Sequence, residues 1–92
     1  MKAIIYSADK NEKLKSERGI GFEEIVDAIT NGYLIKIVEH PNSKRYPNQK
    51  MFLVEINDYI YVAPFIEDKT ALYLKTIFKS RKYTKKYLKK KL

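Results

Sequence analysis

The spacing of apolar residues changes several times along the chain, and each change marks an element. Ala3 to Tyr6 is a short β-branched and aromatic run, which predicts a strand. Residues 9–19, "DKNEKLKSERG", are almost wholly polar but carry helix punctuation. Asp9 stands as a cap with Glu12 three residues on, in capping-box spacing, and Gly19 sits where helices end. Leu14 is the main apolar contact of this helix, so its stability must come from docking. In "GFEEIVDAITNG", Phe22, Ile25, Val26 and Ile29 recur at helical spacing and predict a second helix, stopped by Asn31-Gly32. Its acidic residues Glu23, Glu24 and Asp27 lie near the N-terminal half, where the helix dipole favours them.

Beyond Gly32 the period falls to two. Tyr33 to Glu39 reads as a strand, and "HPNSKRYPNQK" (residues 40–50), with no periodicity, as a loop. Residues 51–66 divide at Asn57-Asp58 into two strands joined as a hairpin. "TALYLKTIF" (residues 70–78) is a further strand, and the basic end is a short helix with Ser80 as its N-cap. The order β-α-α-β-β-β-β-α describes a single α+β domain over residues 1–92. An antiparallel sheet, covered on one face by the two N-terminal helices, is followed by a basic C-terminal segment, residues 79–92.

Alternation within the strands then separates two faces. Phe52, Val54 and Ile56, with Ile60, Val62 and Ile66, are expected beneath the helices. Glu55, Tyr59, Tyr61, Tyr73, Lys75 and Lys79 are expected on the opposite, open face. Tyrosines beside lysines suit single-stranded RNA, whose bases stack on rings while ammonium groups hold phosphates. Tyrosines are also simply good strand residues, so this pattern leaves both readings standing.

Charge changes the picture more than composition does. The formal charge is +8, and residues 1–78 hold equal numbers of acidic and basic side chains. The whole surplus lies in "KSRKYTKKYLKKKL", which contains no acidic residue. Such a local patch attracts polyanions: RNA, DNA, anionic lipid or an acidic protein. A solubilising tail and a membrane-surface tail are the competing readings; Tyr83, Tyr87, Leu88 and Leu92 form only a ragged apolar stripe for the latter. The chain has no cysteine and one histidine, so disulfide, thiolate and structural zinc chemistry are not expected. Its apolar runs are too short for a membrane span or a signal peptide, and a soluble cytoplasmic protein is expected.

No glycine-rich phosphate loop and no carboxylate cluster for Mg²⁺ can be assembled from this sequence. An enzyme built on it is expected to work without metal or cofactor. RNA cleavage remains open, because RNA supplies its own nucleophile, the 2′-hydroxyl. The protein then has to move protons and stabilise a charged phosphorane. Candidates are His40, Lys44, Arg45, Lys50, Glu55, Lys75, Arg81, Tyr83 and Tyr87. His40 has a suitable unperturbed pKa, but a lone histidine before Pro41 also fits a plain surface position.

The ordered motifs resemble a known family. "YSADKNEKLKSERGIGFEEI" is similar to the opening of BrnT-type toxins, through Lys10, Asn11, Gly19, Ile20, Phe22, Glu23 and Glu24. "IFKSRKYTKKY" is similar to that family's closing motif, through Arg81 and Thr84. The resemblance spans nearly the whole chain. It implies a RelE-like two-layer fold and a metal-free ribonuclease toxin of a type II toxin–antitoxin pair, with an antitoxin covering the RNA surface. Tyr6 stands where the family has Trp, Arg18 where it has His, Lys50 where it usually has Arg, and Tyr87 where it has Glu.

The resemblance carries over only Arg81 directly, as the group that stabilises the phosphorane; among the other candidates Lys50 or Arg45 are expected to assist and Tyr83 or Tyr87 to handle a proton, and His40 completes the catalytic set. RNA contacts are expected from Tyr61, Tyr73, Lys75, Lys79, Lys82, Lys85 and Lys86. The expected partners are messenger RNA and an acidic, DNA-binding antitoxin. The alternative is a non-catalytic nucleic-acid- or protein-binding module on the same fold.

Overall fold

The computed structural model describes residues 2–89. Elements follow in the order β1 (Ala3–Ile5), α1 (Ala8–Arg18), α2 (Phe22–Thr30), β2 (Leu34–Glu39), β3 (Gln49–Ile56), β4 (Tyr59–Glu67), β5 (Ala71–Leu74), β6 (Phe78–Lys79) and α3 (Arg81–Leu88). The fold is α+β. The sheet order is β1-β5-β4-β3-β2, with β6 pairing β4 beyond the end of β5. It is a mixed sheet rather than an antiparallel one, because β1 runs parallel to β5 while the other pairs are antiparallel.

Helix α1 starts two residues earlier than its capping pattern suggests. Ser7, in extended backbone, takes the amide of Lys10 on its Oγ at 3.2 Å, so Ser7 is the cap and not Asp9. Asp9 falls in the first turn, where the dipole still favours it. Gly19 closes the helix in the left-handed region at φ 70°. No side chain at Gly21 caps α2; the work is done from α1. Asn11, buried, accepts the Phe22 amide on Oδ1 at 2.7 Å and donates through Nδ2 to Glu23 Oε1 at 2.9 Å. Glu23 also meets Lys15 at 2.8 Å. Asn11, Lys15, Glu23 and the Phe22 amide therefore form a polar joint between the two helices.

The β3–β4 hairpin decides the faces. Asn57 and Asp58 both have positive φ, 53° and 62°, the pairing that a two-residue turn matching strand twist requires. That turn sets Ile56 opposite Tyr59, Val54 opposite Tyr61 and Phe52 opposite Ala63. The helix-covered core thus contains Phe52, Val54, Ala63 and Phe65 with Leu14, Phe22 and Ile25, and Tyr61 packs against it. Ile60 and Val62, expected there, belong to a second core on the other face with Met51 and Leu53. That face is not open: Tyr83, Tyr87 and Leu88 of α3 pack on it. The arrangement is three layers, two helices, sheet and one helix, where a sheet covered on one face was expected.

The single strand expected over residues 70–78 is interrupted. Pro64 of β4 has no N–H to offer its neighbour, and its carbonyl instead accepts the Lys75 amide at 2.8 Å. One extra residue enters here, since Phe65 pairs with Leu74 but Val62 with Phe78. Past this bulge the alternation inverts. Lys79 comes opposite Tyr61 on the helix-covered face, while Tyr73 sits opposite Ile66 on the other.

Candidate nucleic-acid interface

Helix α3 is seated by β4. Ile60 makes two hydrogen bonds at one position: its carbonyl accepts the Ser80 amide at 2.9 Å, and its amide donates to Thr84 Oγ1, also at 2.9 Å. Ser80 caps the helix by accepting the Tyr83 amide at 3.1 Å, and Thr84 is completely buried. Tyr83, Tyr87 and Leu88 fill the inward stripe, so Arg81, Lys82, Lys85, Lys86 and Lys89 are left exposed. The outer surface of α3 is a cationic ridge about 12 Å long, from eight residues at 1.5 Å rise.

Aromatic rings stand among these cations. Tyr83 and Tyr87 stack with centroids 6.1 Å apart, Lys82 lies 5.7 Å from the Tyr83 ring and Lys86 5.3 Å from the Tyr87 ring. Around the edge of β6, Lys79 reaches both Tyr59 and Tyr61, at 5.3 and 5.8 Å. Arg81 and Lys82 occupy the first turn of α3, which contains no acidic residue. Positive side chains at the positive end of a helix dipole repel it, and an anion held there relieves that repulsion.

The other candidates lie elsewhere. Lys50 is opposite Phe65, five residues along β4 from Ile60, or roughly 17 Å at the usual strand rise. It shares the helix-covered face and approaches Glu67 at 3.8 Å, a carboxylate that also binds Lys2 at 2.7 Å. Those contacts, that of Lys2 foremost, hold the Glu67 carboxyl below its ordinary range. His40 and Arg45 gather around Tyr46 in the 40–48 loop, with ring centroids of His40 and Tyr46 4.6 Å apart and Arg45 5.6 Å from Tyr46. His40 Nδ1 accepts the Asn42 amide at 3.0 Å.

Tyr73 and Lys75 form a third group, lining a cleft with Lys10, Ser7 and Tyr6 at the β1 side of the sheet. The charge of Asp68 leads in pushing the Tyr73 phenol up, so this hydroxyl stays protonated. One face does not unite the candidates: Tyr61 joins Lys79, Tyr83 and Tyr87 join the α3 lysines, and Tyr73 stands apart.

Arg18 and Thr84 are the residues whose part the sequence concealed. The Arg18 guanidinium donates to the Ile77 carbonyl and props the bulge before β6. Thr84 anchors α3. In the sequence Arg18 stands out only as a departure from the resemblance and Thr84 only as a match to it, and neither points to these contacts. Comparison with protein-family models, curated proteins and solved structures finds no match for this chain.

Proposed function

We propose that this chain is a metal-independent ribonuclease toxin of the BrnT type, with a RelE-like fold, acting on messenger RNA in the cytoplasm and neutralised by an acidic antitoxin. The observation that carries the reading is the seating of Arg81. It lies in the first turn of a helix fixed to β4 through Ser80 and Thr84, beside Lys82 and Tyr83, on a ridge of cations. Arg81 and Thr84 are the two residues matched in the closing motif, and they divide its work: one faces solvent, the other holds the helix.

In the reaction the 2′-oxygen attacks the adjacent phosphorus and the bond to the 5′-oxygen breaks. The 2′-hydroxyl proton is taken by a base and another proton goes to the leaving oxygen. Arg81 stabilises the extra negative charge on the phosphorane, and Tyr83 or Tyr87 carries a proton at its phenolic oxygen. Lys82, Lys85 and Lys86 hold the flanking phosphates. An acidic antitoxin segment over the same ridge meets the charge that RNA otherwise meets.

A second reading, a binding module without catalysis, draws on two facts. Tyr83 and Tyr87 are half-buried against the second core, and Lys50, Arg45 and His40 lie away from Arg81. Expression in cells separates the readings. The native chain alone arrests growth and folded Arg81→Ala does not; arrest that persists in folded Arg81→Ala favours the second.

A further inference from the structure

A cleft lies beside β6, two residues before Arg81. Arg18 and Ile20 reach it from the α1–α2 junction, Tyr61 from β4, and Ile77, Phe78 and Lys79 from the segment that runs into α3. It encloses about 250 Å³. Small-molecule pockets usually run from about 300 to 1,000 Å³, so this one has room for a single flat ring system and not for a larger ligand.

The lining has a consistent chemistry. Ile20 and Ile77 are buried and make an apolar floor, and Tyr61 is a half-buried aromatic wall. Phe78 is 40% exposed, a large apolar ring at the rim without cover. Among the described residues two cations border the space and no carboxylate does. Lys79 is drawn over Tyr61 at 5.8 Å. Arg18 is fixed by its bond to the Ile77 carbonyl, and a guanidinium has five N–H donors, so others remain for a ligand. An aromatic wall, an apolar floor and two rim cations fit a heterocyclic base joined to a phosphate. A purely aliphatic ligand would leave the remaining donors of both cations unused, and a second cation would be repelled.

We propose that this cleft is a nucleobase subsite. It takes one unpaired base of single-stranded RNA against Tyr61, with the adjoining phosphate between Arg18 and Lys79. Residues 79 and 81 are within about 7 Å along the backbone, so a strand engaged on Arg81 reaches the cleft by turning over the β6 edge. This rests on the ribonuclease reading and specifies where that enzyme holds its substrate beyond the scissile bond.

The test is titration of the native chain with adenosine 3′-monophosphate, followed by backbone amide NMR, with RNA cleavage assayed in parallel. Shifts concentrated at Ile20, Ile77, Phe78 and Lys79 are the expected result. Tyr61→Leu weakens binding roughly ten-fold or more through loss of the stacking ring, and Tyr61→Phe restores most of it. Lys79→Gln, at an exposed position, weakens binding and flattens its salt dependence. Shifts confined to other residues, or undiminished binding in both Lys79→Gln and a Tyr61→Leu protein with a normal thermal melt, overturn the subsite. Cleavage of RNA without nucleotide in the cleft overturns the subsite alone. Nucleotide in the cleft without cleavage supports the subsite and overturns the ribonuclease reading.

Discussion

The Oγ1 of Thr84 accepts the Ile60 amide at 2.9 Å and donates its own hydrogen to the Ser80 carbonyl at 2.7 Å. This one hydroxyl closes the first turn of α3 and docks it on β4. It therefore sets where Arg81 stands. Thr84→Val keeps the shape but leaves the Ile60 amide without its acceptor at a buried position. A loss of about 1–3 kcal/mol in urea denaturation is expected, with weaker RNA binding, while Thr84→Ser retains most of both.

Gly21 is held to glycine by space and not by backbone angle, since its φ is −115°. A Cβ there would lie 2.5 Å from Glu23 Oε1, 2.7 Å from Lys15 Cε and 2.9 Å from Asn11 Oδ1. Asn11 is buried and cannot withdraw without releasing the Phe22 amide. Gly21→Ala is expected to cost about 1–3 kcal/mol by denaturant unfolding, with the loss centred on the α1–α2 joint in hydrogen exchange.

Stability should fall in acid through the same joint. The Lys15 ammonium, and then the Asn11 amide, hold the Glu23 carboxyl down from 4.5 to about 2. A lowered folded-state pKa stabilises the fold above the unfolded value, and that contribution disappears as pH falls from about 4.5 to about 2. Glu23→Gln removes this component. Thermal melts between pH 6 and pH 2 should show a shallower decline for the variant than for the native chain.

RNA affinity should depend on salt in proportion to the ridge on α3. For single strands the slope of log affinity against log salt changes by about 0.7 for each phosphate neutralised. Lys82→Gln, Lys85→Gln and Lys86→Gln are each expected to reduce the slope by about that amount. Lys13→Gln, exposed on α1, is expected to leave it unchanged.

Helix positions and the hairpin were legible because they depend on local signals: Gly19, the Phe22–Ile25–Ile29 spacing and Asn57-Asp58. Which face each strand residue occupies was not. Alternation gives two sets per strand but not which set joins which. A two-residue turn matched Phe52 with Ala63 and sent Ile60 and Val62 to the other side. Pro64 was visible in the sequence, yet its effect lay on the neighbouring strand, where the bulge turned Tyr73 and Lys79 to opposite faces. The parallel β1–β5 pairing and the docking of α3 are contacts between distant segments that no local pattern encodes. Ser80 was legible as the cap of α3, but the fixing of that helix to β4 through Thr84 and Ile60 only from the fold.

Arg81 is the residue on which the proposed metal-free RNA cleavage turns. Native protein and folded Arg81→Ala should be incubated with RNA in excess EDTA, and the cleaved ends examined. Fragments ending in 2′,3′-cyclic or 3′-phosphate are expected from the native chain, with a rate lower by about 10²- to 10³-fold in the variant. Intact RNA under conditions where the native chain binds it, or cleavage at the native rate by Arg81→Ala, would contradict this.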